Sequence, residues 1–408
     1  MKRLKRLISA DLYRTLVICG VYMRNTLIKN CIILLSIIFI FAFGACKVKS
    51  SASGVIKVGV FEPLSGANAA GGALEVEGIR LAYELNPTVV AGGKTYRVEL
   101  VFADNKSERA DAVNAMQRLV DRDKVNVVLG SWSSTLSMSG GEAARGKVPC
   151  IGLSCTNPLV TLGNDWYFRV CFIDPFQGTV MANYAFNELK AKTAVIVQEI
   201  SNDYSVDLAK FFTDNFLKLT GKPNAILAVV NYITGEQDFR TRLSAVRSLG
   251  PDVIFAPGNY TESALVIKQA RELGITIPII GGDTWETPEF IDVGGDSVEG
   301  AVFSTFFAAE FAGTPQAKTF LDEYARRYSK EPAAFTAFAY DGYLVAMDAI
   351  KRAGSIEPAK IRDAVARTSG FTGATGITTL DVNGDATKSA YIKTVQNGKF
   401  VFKTIVNP

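Results

Sequence analysis

Residues 55–85 read VIKVGVFEPLSGANAAGGALEVEGIRLAYEL, which is an apolar run, a glycine-rich turn and an amphipathic stretch. The run Val55–Phe61 predicts a β-strand covered on both faces, because it is nearly continuous in apolar residues. The stretch Glu75–Leu85 predicts a helix. A strand followed at once by a helix is the repeating unit of parallel α/β sheets, and the same order recurs along most of the chain.

Further strand candidates are short β-branched runs, at Tyr96–Ala103, Val125–Leu129, Pro149–Leu153, Tyr167–Phe172, Ala194–Gln198, Ala225–Val230, Val253–Ala256 and Pro278–Ile280. Helical patterns lie between or after them, at Ala110–Asp121, Phe176–Lys190, Val206–Leu219, Phe239–Leu249, Glu262–Leu273 and Thr314–Tyr328. This order predicts an α/β fold with parallel sheets and right-handed crossovers. Because the chain is too long for one sheet of this kind, we expect two Rossmann-like, doubly wound lobes.

We expect the chain to pass between these lobes three times, near Cys171–Pro175, Phe303–Phe307 and Leu380–Asp385. Three connecting strands would make a hinge, with a cleft between the lobes. The predicted domains are lobe 1 at 55–173 plus 306–380 and lobe 2 at 174–305 plus 381–408.

The composition excludes several functions. The 408 residues contain no histidine, so Ser-His-Asp triads, HExxH zinc sites and any histidine base are absent. Residues 1–45 carry seven basic and one acidic residue, which leaves 37 basic and 39 acidic residues in the body. That near-neutral body lacks the basic cluster that nucleic-acid binding requires. No activated nucleophile, paired carboxylates or metal-ligand spacing appears, so we predict no catalytic residue, no cofactor and no metal.

The leader contains an uncharged run of 13 residues, Cys31–Phe43, after Arg24 and Lys29. A membrane-spanning helix needs about 20 apolar residues, so this run fits a signal peptide at 1–45 better than an anchor helix. Met23 offers an alternative start.

The four residues Phe43-Gly44-Ala45-Cys46 resemble a bacterial lipobox, although Phe43 stands where leucine is usual. The resemblance implies lipidation of Cys46, with 46–54 as a lipidated cysteine and flexible tether and with the membrane held through the lipid. In the body, Cys150, Cys155 and Cys171 are expected to be small buried residues with one possible disulfide.

Candidate ligand-binding residues lie where strands end, since open parallel sheets bind ligands outside the carboxyl ends of their strands. Hydroxyl and backbone N–H groups at two neighbouring helix starts would form an anion pocket of carboxylate size. Asp283 follows two glycines and can pair with an ammonium group. The alternative is that these residues are ordinary helix N-caps. The chosen residues are Trp132, Ser133, Ser134, Ser154, Cys155, Thr156, Tyr204, Tyr260 and Asp283.

Several blocks carry a family resemblance, namely VGVFEPLSG at 58–66, GIRLAYELN at 78–86, GGKTY at 92–96, VLGSWSS at 128–134, LSCTNP at 153–158, NDYSVDLA at 202–209, KQARELG at 268–274 and TAFAYDG at 336–342. With them, residues 55–406 resemble the type I periplasmic binding proteins, in particular the leucine/isoleucine/valine-binding branch of ABC-transporter solute receptors. The resemblance covers nearly the whole body and implies the two-lobe fold predicted above.

The resemblance implies that Ser134 and Thr156 hold the carboxylate of a bound amino acid. The ammonium group would be held by the carbonyl of Ser154, the hydroxyl of Thr156 and the carboxylate of Asp283, where branched-chain binders usually have glutamate. Tyr204 and Tyr260 align with aromatic residues of the second lobe.

Trp132 is expected in the apolar pocket wall. Gly71 or Ala70 stands where relatives have a bulky aromatic residue, which predicts a roomier pocket.

The function implied is an extracytoplasmic, lipid-anchored and monomeric receptor that closes on a small solute and delivers it to an ABC permease. The expected solute is an aliphatic or otherwise hydrophobic amino acid. Three alternatives stay open: the same fold binding urea, an amide or an aromatic acid; a sensory ligand-binding protein; and a hydrolase acting in the cleft.

Overall fold

The computed structural model describes residues 54–408. The predictions for the leader 1–45, for lipidation of Cys46 and for the tether therefore lie outside the described residues, except that Gly54 begins strand β1.

The first sheet is built from the first part of the body. Its elements are β1 (Gly54–Glu62), α1 (Ala69–Leu85), β2 (Thr88–Ala91), β3 (Lys94–Asp104), α2 (Arg109–Gln117), β4 (Val127–Leu129), α3 (Ser134–Ala144), β5 (Cys150–Gly152) and β6 (Tyr167–Arg169). The strand order is β2-β3-β1-β4-β5-β6, and every pair is parallel except β2 with β3. Strands β1, β4 and β5 are buried on both faces, as their continuous apolar sequence predicts.

The second sheet follows. Its first elements are α4 (Asp174–Asn183), β7 (Ala194–Glu199), α5 (Asp203–Thr220), β8 (Ile226–Tyr232), α6 (Arg240–Leu249), β9 (Val253–Phe255), α7 (Tyr260–Glu272), β10 (Ile279–Gly281), α8 (Pro288–Gly294) and β11 (Val302–Thr305). Short 3₁₀ turns occur at Pro158–Val160, Asp283–Trp285, Gly295–Val298 and Ala309–Phe311, and π-type turns extend α2 through Arg122 and α4 through Glu188.

The chain then returns to the first sheet and back again. Helices α9 (Pro315–Tyr328), α10 (Ala334–Ala353) and α11 (Pro358–Ala366) and the hairpin β12 (Phe371–Gly373) and β13 (Gly376–Thr378) precede β14 (Ala390–Gln396) and β15 (Lys399–Val406). Helix α10 packs on α1 and β2, so this segment belongs to the first sheet. The second sheet has the order β15-β14-β11-β10-β9-β7-β8. The two-lobe α/β fold is confirmed.

Three strands of these largely parallel sheets are antiparallel, and the sequence analysis did not predict them. β2 pairs antiparallel with β3, and β14 and β15 form an antiparallel edge beside β11. These strands alternate between buried and exposed positions or are mostly exposed, so a search for continuous apolar runs does not find them. Antiparallel edge strands on a largely parallel sheet are common in this fold class.

The chain passes between the sheets after β6, after β11 and after β13. The predicted strand Tyr167–Phe172 ends at Arg169, whose backbone N–H donates to the Gly384 carbonyl at 2.9 Å. The buried Arg169 Nε lies 2.6 Å from Asp385 Oδ1. Gly384 has φ of 84°, and a Cβ there would meet the Phe168 ring at 2.9 Å. A hydrogen bond and an ion pair therefore join the first and third connections between the sheets.

Three further properties hold for the described part of the chain. Cys150, Cys155 and Cys171 are buried free thiols rather than a disulfide. Between residues 54 and 408, no helix is both long and apolar enough to cross a bilayer. In the same range, no group of three or more cysteine or acidic residues is arranged to hold a metal ion.

Candidate functional site

A small cavity lies where the strand ends of the two sheets face each other. The space between its walls is about 230 Å³, including the part that is open to solvent. Its lining is mostly polar and comes from both lobes: Trp132, Ser133, Ser134, Ser154, Asn202, Tyr204, Asn259, Asp283 and Thr284. Six of the nine residues predicted from sequence are thus brought together here.

The lobe 1 wall is formed by the start of α3 and the loop after β5. Ser133 precedes α3, and its side chain makes no capping hydrogen bond, which leaves the first N–H groups of the helix free for a ligand. The Ser134 hydroxyl accepts from the Asn157 N–H at 3.2 Å and so joins the two loops. A helix start with hydroxyl groups beside it suits a carboxylate.

The lobe 2 wall carries one buried carboxylate, Asp283. Its Oδ1 accepts hydrogen bonds from Gln177 Nε2 at 2.6 Å and from the Tyr204 hydroxyl at 2.9 Å. Burial raises the pKa of Asp283 to about 7, although the hydrogen bonds from Gln177 and Tyr204 oppose the rise. A bound ammonium group would favour the ionised form.

A second carboxyl lies behind Ser154. The Ser154 hydroxyl donates to Glu75 Oε1 at 2.5 Å, and Glu75 is fully buried in α1. Burial raises the pKa of Glu75 to about 7, with a further contribution from the charge of Asp283. The Ser154 hydroxyl is therefore occupied, and its carbonyl remains for a ligand.

Thr156, Cys155 and Tyr260 do not line the cavity. The Cys155 side chain packs in the core behind it, where burial raises the thiol pKa to about 11, and its carbonyl accepts from Arg169 at 2.7 Å. Thr156 lies next to Asp174, at the start of α4. Among the described residues, the Thr156 hydroxyl and both Asp174 carboxyl oxygens have no hydrogen-bond partner, and burial raises the pKa of Asp174 well above its usual range.

The pocket wall differs from the expectation at Gly71. The indole of Trp132 packs directly on this glycine, since a Cβ at Gly71 would lie 2.3 Å from the ring. Tyr260 and Phe335 hold the indole edge-on, with ring centroids at 5.8 Å and 5.7 Å. The small residue at position 71 therefore makes room for Trp132.

Hydrogen bonds connect the two lobes around the cavity. Asn259 Nδ2 donates to Asn68 Oδ1 at 2.9 Å, and the Tyr260 hydroxyl donates to the Ala67 carbonyl at 2.7 Å. On the other side, Asn157 Nδ2 donates to Asp207 at 2.8 Å. The lobes are closed on each other, so a solute enters only when these contacts open.

The family model described as "Periplasmic binding protein" matches residues 55–399. The chain belongs to this family. The leucine binding protein LivK from Thermotoga maritima is 42% identical, with a TM-score of 0.83 over 86% of this chain and 99% of that one. The substrate-binding protein LivJ from Streptococcus pneumoniae, solved in complex with isoleucine, is 33% identical. Its TM-score is 0.80, over 87% of this chain and 100% of that one. Leu/Ile/Val-binding protein homolog 2 from Brucella abortus is 28% identical over 83% of this chain and 89% of that protein.

Some residues of this periplasmic binding protein's site were not selected from sequence. Asn202, Asn259 and Thr284 follow strands whose ends the sequence analysis had already identified. Each lies close in sequence to a residue that was selected there. Gln177 and Glu75 lie inside helices, so the rule of strand ends does not reach them. The feature that could have identified them is a polar residue on the buried face of an amphipathic helix. That face is known only once the helix has been placed in the structure.

Proposed function

We propose that the protein captures an aliphatic L-α-amino acid, such as leucine, isoleucine or valine, in the cavity between its lobes. The observation that carries the proposal is the opposition of charges across that cavity. The start of α3, with Ser133 and Ser134, faces the ligand from one lobe, and the buried carboxylate of Asp283 faces it from the other. A zwitterion with adjacent carboxylate and ammonium groups matches both ends.

The ligands named for the relatives support the choice of amino acid. LivK of Thermotoga maritima is described as a leucine binding protein, and LivJ of Streptococcus pneumoniae is in complex with isoleucine. In this chain the indole of Trp132 is the apolar surface that the cavity offers to a side chain.

The N–H groups of α3 and the hydroxyl of Ser134 hold the carboxylate, and the Ser154 carbonyl and Asp283 hold the ammonium. Tyr204 orients Asp283 through its 2.9 Å hydrogen bond, and the mechanism is binding and release without a covalent step.

Members of this family are solute-binding proteins of transporters and act outside the cytoplasm. For this chain we further propose delivery to ABC permease subunits by a monomer anchored through a lipid on Cys46. Residues 55–173 plus 306–380 and residues 174–305 plus 381–408 would be the two bodies that move on closure.

A ligand screen of the purified protein tests the proposal. L-leucine, L-isoleucine and L-valine, their amides, urea and benzoate would each be added during thermal unfolding. A ligand at a hundredfold excess over Kd stabilises the folded state by roughly 2.7 kcal/mol, which moves the midpoint visibly. We expect a shift with the amino acids and none with the amides, because an amide offers no carboxylate to α3.

If no amino acid shifts the unfolding midpoint and urea or benzoate does, the proposed ligand class is wrong. Hydrolysis of an added amide would instead favour an enzyme. The variants Ser134→Ala and Asp283→Ala should each lose the amino-acid shift while unfolding cooperatively. Full affinity in both would overturn the site assignment.

A further inference from the structure

Two buried carboxyls, Glu62 and Glu75, lie under the cavity, and both are fully inaccessible to solvent. Glu62 is the last residue of β1, and its Oε2 accepts a 2.8 Å hydrogen bond from the backbone N–H of Trp132. Glu75 lies in α1, and its Oε1 accepts the Ser154 hydroxyl at 2.5 Å. Each carboxyl therefore holds one of the two loops of lobe 1 that line the cavity.

The other oxygen of each carboxyl has no hydrogen-bond partner in the described part of the chain. Glu62 Oε1 and Glu75 Oε2 are buried and have no donor among the described residues, and the two carboxyls lie within hydrogen-bonding distance of one another. Two carboxylates cannot occupy such a contact in a buried site, since like charges and burial both oppose the second ionisation. One proton between the oxygens satisfies both.

Among the described residues, four titratable groups face the two carboxyls. Glu62 is faced by the Cys155 thiol and the Tyr167 phenol, and Glu75 by Asp283 and the Cys171 thiol. All four are acids. Burial therefore raises the pKa of Glu62 well above its usual range.

We propose that Glu62 and Glu75 are positioning residues, which share one proton and thereby tie the loop of Trp132 to the loop of Ser154. The inference rests on the proposed binding function, because it assigns these loops to the ligand. The pair carries one negative charge rather than two, and it faces the end of the cavity where the ammonium group is placed.

Glutamine variants test the shared proton. In Glu62→Gln or Glu75→Gln, the amide oxygen can keep its loop contact while the amide N–H donates to the other carboxylate. We expect each single variant to lose about threefold in affinity for L-leucine. In the double variant two NH₂ groups would face each other, so one loop contact must break, and we expect at least a tenfold loss of affinity. Glu262→Gln, a buried carboxyl outside the cavity, is the matched control.

Two readouts need no ligand. With the shared proton, the native wild type holds one more proton than its unfolded chain between pH 5 and 7. Its unfolding equilibrium constant should therefore increase with pH, by a further factor of ten per pH unit compared with either single variant. Exchange of the Trp132 amide hydrogen should be faster in the double variant and unchanged in the single ones.

Equal pH slopes in the wild type and both single variants would overturn the shared proton. A double variant with unchanged Trp132 exchange would overturn the positioning role. If the wild type fails to bind L-leucine, the proposed function is wrong, and these two readouts still decide the inference.

Discussion

The phenol of Tyr204 donates a 2.9 Å hydrogen bond to Oδ1 of Asp283, seventy-nine positions further along the chain. Gln177 donates to the same oxygen, which leaves Oδ2 of Asp283 for a ligand. Asp283, the one acid that the described residues contribute to the cavity wall, is thus oriented by two neighbours of its own lobe, so its carboxylate is in place before the lobes close.

Affinity for L-leucine should decrease in acid. The pKa of Asp283 is about 7, so protonation below that pH removes the partner of the ammonium group. We expect Kd to rise by up to about tenfold per pH unit between pH 7 and pH 5, because binding must then release a proton. Isothermal titration calorimetry at several pH values measures this. Asp283→Asn should bind weakly with a much flatter profile, and a constant wild-type Kd from pH 5 to 8 would contradict the role of Asp283.

Removing the Tyr204 hydroxyl should weaken binding without disturbing the fold. Tyr204→Phe keeps the ring but removes a hydrogen bond that stabilises the Asp283 carboxylate, so the pKa of Asp283 rises further. A hydrogen bond to a charged group contributes about 1.5–3 kcal/mol, so we expect a loss of roughly tenfold or more at pH 7 and a smaller loss at pH 8.5. Tyr96→Phe on β3 is the control. Equal losses at both pH values would contradict the explanation.

Gly71→Ala should abolish binding. The added methyl group would lie 2.3 Å from the Trp132 ring, which must then move into the cavity or away from Tyr260. Gly313→Ala is the matched control, because the nearest atom to its Cβ is 4.0 Å away. Trp fluorescence and titration with L-leucine report both effects. Wild-type affinity in Gly71→Ala would show that the wall tolerates a displaced indole.

The contacts that close the lobes should set the rate of ligand release. Asn259→Ala removes the 2.9 Å hydrogen bond to Asn68, and Tyr260→Phe removes the 2.7 Å bond to Ala67. Each hydrogen bond contributes about 1 kcal/mol to the closed form, so we expect dissociation to be roughly fivefold faster in stopped-flow measurements. Association should change little. An unchanged dissociation rate in both variants would mean that closure does not limit release.

The buried guanidinium of Arg169 should be important for stability. Its groups donate to the Cys155 and Asn157 carbonyls at 2.7 and 2.8 Å, and its Nε pairs with Asp385. Arg169→Met leaves that carboxylate and those carbonyls without their partner, so we expect a loss of about 3–5 kcal/mol in urea unfolding. Arg240→Gln, which removes exposed ion pairs, should leave the midpoint almost unchanged. A small effect of Arg169→Met would show that water replaces the guanidinium.

Much of the cavity could be found from sequence because parallel sheets expose their strand ends at one edge. Ser133, Ser134 and Ser154 follow two adjacent strands, and Tyr204 and Asp283 follow strands of the other sheet. Cys155 and Thr156 follow the same strand as Ser154, but the chain turns there, and their side chains point into the core and towards Asp174. Side-chain direction in a loop depends on the backbone path, which local sequence does not fix.

The sequence by itself determined the two α/β lobes, because apolar runs and amphipathic helices alternate with a fixed period. It also placed the site at the strand ends and excluded every chemistry that needs histidine. Only the tertiary structure decided which polar groups face each other. Gln177 meets Asp283, Glu62 meets Glu75, and Trp132 fills the space over Gly71. These contacts join residues far apart in the chain, and their energies depend on burial and on distances of a few ångströms, which follow from packing rather than from local pattern.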